Sequence, residues 1–218
     1  MSSRELPYRT NPLLRWSYSL IAPVYDFAVW PLKTLRRDSL RSLPSGGEAE
    51  VLISGAGTGL DLPLLPERHR YTALDFNAAM LSRARQRGAR ARGECLRVDW
   101  VIGDSMALPF SDAHFDCVVL HLILAVVAQP ELCLGEAERV LKPGGKIIIL
   151  DKFLRPNQSA VLRRALNPLA RRFATRLDVV FEEVLQKVPS LHVVRDEPIL
   201  ARGWFRGIVL HKEITAKK

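Results

Sequence analysis

The feature that most constrains the fold of this 218-residue chain is a regular alternation of short apolar runs and amphipathic segments between residues 50 and 153. Each apolar run is too short for a buried helix and ends near glycine, aspartate or proline, which is typical of strands buried on both faces. The runs predict five strands, at residues 50–54, 71–75, 98–104, 115–124 and 146–153. Strands that alternate with helices predict a parallel sheet with helices on both faces, which is an α/β fold.

Two segments between these runs have the spacing of amphipathic helices. The first spans residues 76–88 and is expected to end at Gly88, and the second lies in the stretch 131–145, where Pro143 and the glycine pair that follows are expected to end it. The side chains expected to face inward are Met80, Leu81 and Ala84 in the first helix, and Leu132, Ala137, Val140 and Leu141 in the second.

The pattern changes after Phe153. Residues 154–190 predict a basic amphipathic insertion, and residues 191–200 and 204–214 predict two adjacent strands that form an antiparallel hairpin at the edge of the sheet. The expected sheet therefore has seven strands. We expect one domain over residues 46–218, preceded by an N-terminal helical lid over residues 1–45.

The net charge of +9 is concentrated in two short segments. Residues 1–45 hold seven Lys and Arg against three Asp and Glu, and residues 151–176 hold seven against one. A local excess of this kind predicts a polyanionic partner, either nucleic acid or anionic lipid headgroups, although it also serves solubility alone.

No apolar run reaches the roughly 18 to 20 residues of a membrane-spanning helix, and the first residues lack a secretory signal, so we expect a cytoplasmic protein. The three cysteines are far apart and have no metal-ligand spacing. We therefore expect reduced, mostly buried cysteines and no metal site.

A glycine-rich loop follows the first strand in the stretch "VLISGAGTG", residues 51–59. Glycine at every second position lets the backbone approach a ligand closely, so a nucleotide site is expected. The dinucleotide fingerprint needs a glycine where Leu60 stands, and a P-loop needs Gly-Lys-Ser/Thr where Gly59, Leu60 and Asp61 stand. NAD and triphosphates are therefore disfavoured, and Asp61 would also repel a pyrophosphate.

Aspartates follow the next two strands at the same edge of the predicted sheet. Asp75 ends the second strand, twenty residues after Gly55, where a carboxylate can accept hydrogen bonds from both ribose hydroxyls. Asp104 ends the third strand, where it can accept from an exocyclic adenine amine while Ser105 or Met106 supplies a backbone amide. Either aspartate alone is explained as well by a helix cap or a turn. Their order at consecutive strand ends favours a nucleoside, with the adenine ring packed against Phe76 and Met80.

These motifs resemble those of the class I S-adenosylmethionine-dependent methyltransferases over about residues 13–153. "GAGTG" is similar to their first motif, "LDFN" to their ribose-binding strand end, "GDSMALPFSDAHFDCVV" to their adenine loop and fourth strand, and "RVLKPGGKIII" to their turn into the fifth strand. The resemblance implies a Rossmann-like doubly wound sheet of seven strands, mostly parallel with an antiparallel C-terminal strand. It also implies S-adenosylmethionine as cofactor, without a metal.

Within that class, "SLIAPVYDFAVWPL" is similar to a stretch shared by quinone-biosynthesis C-methyltransferases and bacterial phosphatidylethanolamine N-methyltransferases. In those enzymes a tyrosine before an aspartate folds over the methionine end of the cofactor. The matching residue is Tyr25, with Tyr18 one to two helical turns earlier, and a core aromatic is the alternative interpretation of Tyr25. The resemblance and the strand ends together give the expected cofactor-binding residues: Tyr18, Tyr25, Gly55, Ala56, Gly57, Gly59, Asp75, Phe76, Asn77, Met80, Asp104, Ser105, Met106 and His121.

One residue departs from the family pattern. Ile53 stands where many members have an acid near the ammonium group of the cofactor. Losing such a contact costs ~1.5 to 3 kcal/mol at most, and backbone carbonyls can replace it in part. Ile53 therefore predicts weaker binding, or in the extreme a fold that binds no cofactor; as a plain core residue it simply keeps its strand buried.

Methyl transfer from a sulfonium mainly requires orientation of the reacting groups. The candidate catalytic residues are His121, as a base near neutral pH, and Tyr25. A hydrogen-bonded core histidine is the alternative for His121.

The basic segments favour a phospholipid N-methyltransferase that acts on phosphatidylethanolamine or its methylated derivatives, peripheral on the inner face of the membrane. The alternative acceptor is a small molecule such as a quinone precursor or a thiol. No nucleic-acid partner is expected, because no recognition motif is present and few aromatics lie among the basic residues.

Overall fold

The computed structural model describes residues 32–92, 95–154, 179–200 and 204–214. Most of the predicted N-terminal lid and most of the basic insertion lie outside these residues. Tyr18 and Tyr25 lie outside them as well, so the structure says nothing about their position.

Seven strands form one sheet, as the sequence predicts. The spatial order is β3-β2-β1-β4-β5-β7-β6, and β1 to β5 pair in parallel. β7 is antiparallel to both β5 and β6, so it is the one reversed strand of the seven. The elements are α1 (Lys33–Leu40), β1 (Glu50–Ser54), a 3-10 helix (Leu62–Leu64), β2 (Arg70–Asp75), α2 (Ala78–Arg92), β3 (Arg97–Ile102), β4 (Phe115–His121), α3 (Pro130–Val140), β5 (Leu141–Lys152), α4 (Phe181–Leu185), β6 (Leu191–Leu200) and β7 (Phe205–Lys212).

Apolar side chains cover both faces of the sheet. Successive residues of a strand point to opposite faces, and β1 illustrates this, since Val51 and Ile53 join one core cluster and Leu52 joins the other. The cluster around Ile53 includes residues of α1 and α2, and the cluster around Leu52 includes residues of α3 and α4. The doubly wound α/β arrangement is therefore confirmed.

Among β1 to β5, three predicted bounds differ from the observed ones by two residues or more. β3 ends at Ile102 instead of residue 104, because Asp104 folds back into a bridge with Ala107. β4 ends at His121 instead of residue 124, because Leu122 has a φ of 59°, which breaks the extended backbone. β5 begins at Leu141 instead of residue 146, because Leu141 already pairs with β4.

The two predicted helices also needed correction. α2 continues past Gly88 to Arg92. An added Cβ at Gly88 would lie 3.3 Å from the Leu62 side chain, so this glycine allows close packing and does not end the helix. α3 ends at Val140, three residues before Pro143, and Leu132, which was expected to face inward, is 46% exposed.

Two further findings concern the cysteines and the membrane. Cys117 and Cys133 are buried and Cys95 is exposed, and all three are free thiols. Burial raises the pKa of Cys117 to about 12, which makes it unreactive. Among the described residues, no helix combines the length and the apolar character that crossing a bilayer requires.

Candidate active site

The glycine loop leaves β1 at the carboxyl edge of the sheet and is fixed to β2. The backbone N–H groups of Gly55 and Ala56 both donate to the carbonyl oxygen of Leu74, at 2.9 Å each. Gly55, Gly57 and Gly59 have φ values of 75°, 54° and 77°. Only glycine adopts this region at low cost, so the alternating glycines are required by the backbone path.

The three glycines differ in what lies beside them. An added Cβ at Gly55 would lie 2.7 Å from the Ile123 side chain, and one at Gly59 would lie 2.8 Å from Ala84 of α2. At Gly57 nothing lies within 4 Å of that position. The loop is therefore packed against protein at both ends and has open space at its centre.

Asp75 is the last residue of β2, contacts this loop and is buried. Its Oδ2 accepts a hydrogen bond from the N–H of Gly57 at 2.8 Å, and its Oδ1 accepts one from the N–H of Asn77 at 2.9 Å. Burial raises the pKa of Asp75, against the effect of these two bonds. A carboxylate has about four acceptor positions, so capacity remains for a ligand.

Asn77 and Phe76 follow Asp75 with different surroundings. The Oδ1 of Asn77 accepts from the N–H of Ala79 at 2.9 Å and caps the start of α2. Phe76 is 41% exposed, while Met80 is buried in the first turn of α2. Of the two residues expected to pack on an adenine ring, Phe76 is the accessible one.

The end of β3 carries a second small network. The Oδ1 of Asp104 accepts from the N–H of Met106 at 2.8 Å, which holds the turn after the strand. The hydroxyl of Ser54 donates to the Oγ of Ser105 at 2.8 Å, so the end of β1 is tied to this turn. Ser54 was not among the predicted residues.

His121 ends β4 with its side chain buried against α1. Its Nδ1 lies 2.9 Å from Oδ1 of Asp61, and its Nε2 lies 3.1 Å from the hydroxyl of Ser39. Arg36 donates to the same oxygen of Asp61 at 2.9 Å. Both ring nitrogens thus have protein partners, an arrangement that matches the core histidine; a catalytic role for His121 stays a prediction.

Comparisons with known proteins identify the family of this chain. Residues 52–149 match the model of a methyltransferase domain. The phosphatidylethanolamine N-methyltransferase of Cereibacter sphaeroides is 31% identical over 92% of this chain and 96% of its own length. The chain belongs to the S-adenosylmethionine-dependent methyltransferases.

Two other matches concern a part of the chain and the fold. The ubiquinone/menaquinone biosynthesis C-methyltransferase of a Ruegeria species is 45% identical over 39% of this chain and 34% of its own length. The crystal structure of the cyclase SpnF superposes with a TM-score of 0.76 at 18% identity, over 92% of this chain and 95% of that one. The second match shows the fold alone.

The site of this methyltransferase fits the cofactor of its family. Open space lies at Gly57, and the Asp75 carboxylate next to it keeps acceptor positions that two ribose hydroxyls could use. Asp104 and the exposed Phe76 lie after neighbouring strands at the same edge. Ile53 is buried in the core cluster with Val51, as expected of a plain core residue.

Three contacts of the methyltransferase were missed by sequence reasoning. Arg87 of α2 donates to the Thr58 hydroxyl at 2.9 Å and holds the middle of the glycine loop. Asp151, at the end of β5, accepts from the N–H of Ala125 at 3.0 Å and shapes the segment after β4. Asp61, which the sequence analysis considered only for its repulsion of a pyrophosphate, forms a buried ion pair with Arg36.

Proposed function

We propose that this methyltransferase transfers a methyl group from S-adenosylmethionine to the amine of phosphatidylethanolamine or of its methylated derivatives. The observation that carries the proposal is the match to a phosphatidylethanolamine N-methyltransferase along nearly the full length of both chains. The matches to quinone methyltransferases cover between 33% and 74% of the relative's own length, against 96% for this match. Full-length agreement includes the regions outside the cofactor motifs, where acceptor specificity is decided.

The proposed cofactor site uses the residues at the carboxyl edge of the sheet. The backbone at Gly55, Ala56, Gly57 and Gly59 would lie against the cofactor, and Asp75 would accept from the ribose hydroxyls. The adenine would be held by Phe76, Asp104, Ser105 and Met106, with Asn77 and Met80 supporting them from α2. Tyr18 and Tyr25 are proposed for the methionine end. The bound cofactor supplies a methyl group that is already activated by the positive charge on sulfur.

The chain's own contribution is orientation and exclusion of water. Well-oriented intramolecular reactions gain up to ~7 to 11 kcal/mol, which suffices for a displacement at an activated methyl group. Residues 1–45 are proposed as a lid over the site. The amine must lose a proton before it reacts, and Tyr25 is the proposed residue for this step, because both ring nitrogens of His121, the other candidate, already have protein partners.

The proposed location is the inner surface of the membrane. Two basic segments, residues 1–45 and 151–176, carry the excess of Lys and Arg. Each basic residue near an anionic lipid surface contributes about 1 kcal/mol at best. Several of them together would hold the enzyme next to a lipid acceptor that does not leave the bilayer.

The alternative acceptor is a quinone precursor, which the match to the Ruegeria C-methyltransferase favours. The two are separated by incubating the full chain with methyl-labelled S-adenosylmethionine and either phosphatidylethanolamine vesicles or a demethylated quinone in detergent. We expect label in the ethanolamine lipid and an increase in rate on addition of anionic lipid. Label in the quinone alone would replace the proposal by its alternative.

A further inference from the structure

Four buried polar side chains link α1, the segment after the glycine loop and the end of β4. They are Arg36 and Ser39 of α1, Asp61, and His121. The side chains of Arg36, Asp61 and His121 are 7%, 6% and 1% exposed. We call these four residues the buried network.

The protonation of the buried network follows from its geometry. Burial alone would raise the pKa of Asp61, but Arg36 and His121 hold that pKa well below its usual range, so Asp61 is ionised. An ionised carboxylate only accepts hydrogen bonds, so the Nδ1 of His121 must carry a proton and donate it to Asp61. Nε2 of His121 lies 3.1 Å from the hydroxyl of Ser39, which completes the network.

This connectivity equals that of a hydrolytic Ser-His-Asp triad, but the setting does not allow hydrolysis. Ser39 is 4% exposed and lies within α1, so an acyl substrate has no access to its hydroxyl. Arg36 also neutralises the carboxylate that a triad uses to stabilise an imidazolium. The buried network therefore has no hydrolytic activity of its own, and its role is sought in how it holds the residues around the glycine loop.

Both ends of the glycine loop depend on residues next to the buried network. Asp61 follows Gly59 by two positions, and His121 precedes Ile123 by two. The side chain of Ile123 packs against Gly55, where an added Cβ would lie 2.7 Å from it. One set of hydrogen bonds thus fixes the chain that leaves the loop and the side chain that supports the start of the loop.

We propose that Arg36, Asp61 and His121 are positioning residues for cofactor binding, which hold the glycine loop and the segment after β4 in the geometry that receives the cofactor. The proposal rests on the proposed cofactor site and is independent of which acceptor is used.

The first test compares two substitutions of His121. In His121→Asn the amide nitrogen can replace Nδ1 as donor to Asp61, whereas His121→Leu leaves the carboxylate without that donor. We expect His121→Leu to weaken binding of S-adenosylhomocysteine about tenfold, as loss of a buried hydrogen bond would, and His121→Asn to stay near the unmodified protein. Isothermal calorimetry gives the dissociation constant without turnover, and thermal melting reports folding.

A second variant keeps the test valid if His121→Leu does not fold. The double substitution R36Q/D61N replaces the ion pair by two amides, so no buried charge is left unpaired. It should fold and still bind S-adenosylhomocysteine about tenfold more weakly, because neutral hydrogen bonds are weaker than charge-assisted ones. The matched control is R41Q, which breaks the ion pair of Arg41 with Asp38, whose side chains are 74% and 46% exposed. R41Q should change nothing.

The outcomes separate this proposal from the proposed function. Unchanged affinity in both folded network variants would overturn the positioning role and leave the methyltransferase intact. No binding of S-adenosylhomocysteine by the unmodified protein would overturn the cofactor site itself, and the positioning role with it.

Discussion

At the scale of single residues, Gly57 differs from Gly55 and Gly59 in its surroundings. All three have positive φ, but an added side chain would clash with Ile123 at Gly55, and with Leu62 and Ala84 at Gly59. At Gly57 it would enter open space beside Asp75. A substitution at Gly57 can therefore affect cofactor binding without causing a clash inside the protein.

We expect Gly57→Ala to weaken S-adenosylhomocysteine binding by more than its effect on stability explains. The positive φ costs an alanine roughly 1 to 2 kcal/mol in free energy of unfolding. Gly47→Ala is the matched control, because Gly47 has a φ of 66° and also has nothing within 4 Å of an added Cβ. Urea unfolding and calorimetric titration of both variants check this. Equal affinity in the two variants would show that the space at Gly57 is not the cofactor site.

Asp151 makes the stability depend on pH in a way that can be measured. Burial raises the pKa of its carboxyl to about 6, despite hydrogen bonds from the N–H groups of Ala125 and Lys152. An unfolded aspartate has a pKa of about 3.9, so the folded state binds this proton more tightly. The ionisation of Asp151 therefore lowers the free energy of unfolding as the pH rises through about 6.

Asp151→Asn removes this titration. We expect the free energy of unfolding of the variant, relative to that of the unmodified protein, to increase from about pH 4 to about pH 7, by at most ~1.4 kcal/mol per pH unit. The lost acceptor lowers stability by an amount that does not vary with pH. Urea unfolding at a series of pH values gives the difference, and parallel curves for the two proteins would contradict the assignment.

At the scale of elements, the spacing of apolar residues in α3 determines which face of the helix is buried. Its buried positions are Pro130, Cys133, Leu134, Ala137 and Val140, spaced three and four residues apart. Leu132 falls outside this spacing and is exposed. We expect Leu134→Ala to lower the free energy of unfolding by about 2 to 5 kcal/mol and Leu132→Ala by less than about 0.5 kcal/mol. Urea unfolding measures the free energy of unfolding of both variants. Similar losses in the two would show that α3 does not bury the face that contains Leu134.

The strands could be predicted from the sequence better than the helix ends and the side-chain networks. β1 has the predicted bounds, because a short apolar run between charged residues and glycines has few alternatives. The end of α2 could not be predicted, since Gly88 serves a contact with Leu62 that no local pattern reveals. Ser39 and His121 are 82 residues apart, so their hydrogen bond depends on how α1 packs on the sheet.

The candidate site followed the same division. Asp75 and Asp104 were found because Asp75 ends β2 and Asp104 follows the end of β3 by two residues, at one edge of a parallel sheet. Asp61 and Ser54 were not assigned, since their partners Arg36, His121 and Ser105 lie on elements distant in sequence. Local motifs therefore gave the candidate cofactor-binding residues, and tertiary packing was needed to find the residues that hold them in place.

At the scale of the whole molecule, the fold alone leaves the acceptor open, since a cyclase shares it. The asymmetric charge is the property that distinguishes a membrane-surface enzyme. We expect the full chain to sediment with vesicles that contain anionic lipid. Salt should release it, because salt screens the attraction between the basic segments and the anionic headgroups. Vesicles of phosphatidylcholine alone are the control. Equal binding to both vesicle types at low salt, or binding that persists at high salt, would contradict an electrostatic attachment.

The most direct measurement is mass spectrometry of phosphatidylethanolamine vesicles after incubation with the full chain and S-adenosylmethionine. The account predicts lipid methylated on the ethanolamine nitrogen, with one S-adenosylhomocysteine formed for each methyl group transferred, and a much lower yield with Gly57→Ala. Unmodified lipid, in a preparation that binds S-adenosylhomocysteine, would contradict the proposed acceptor.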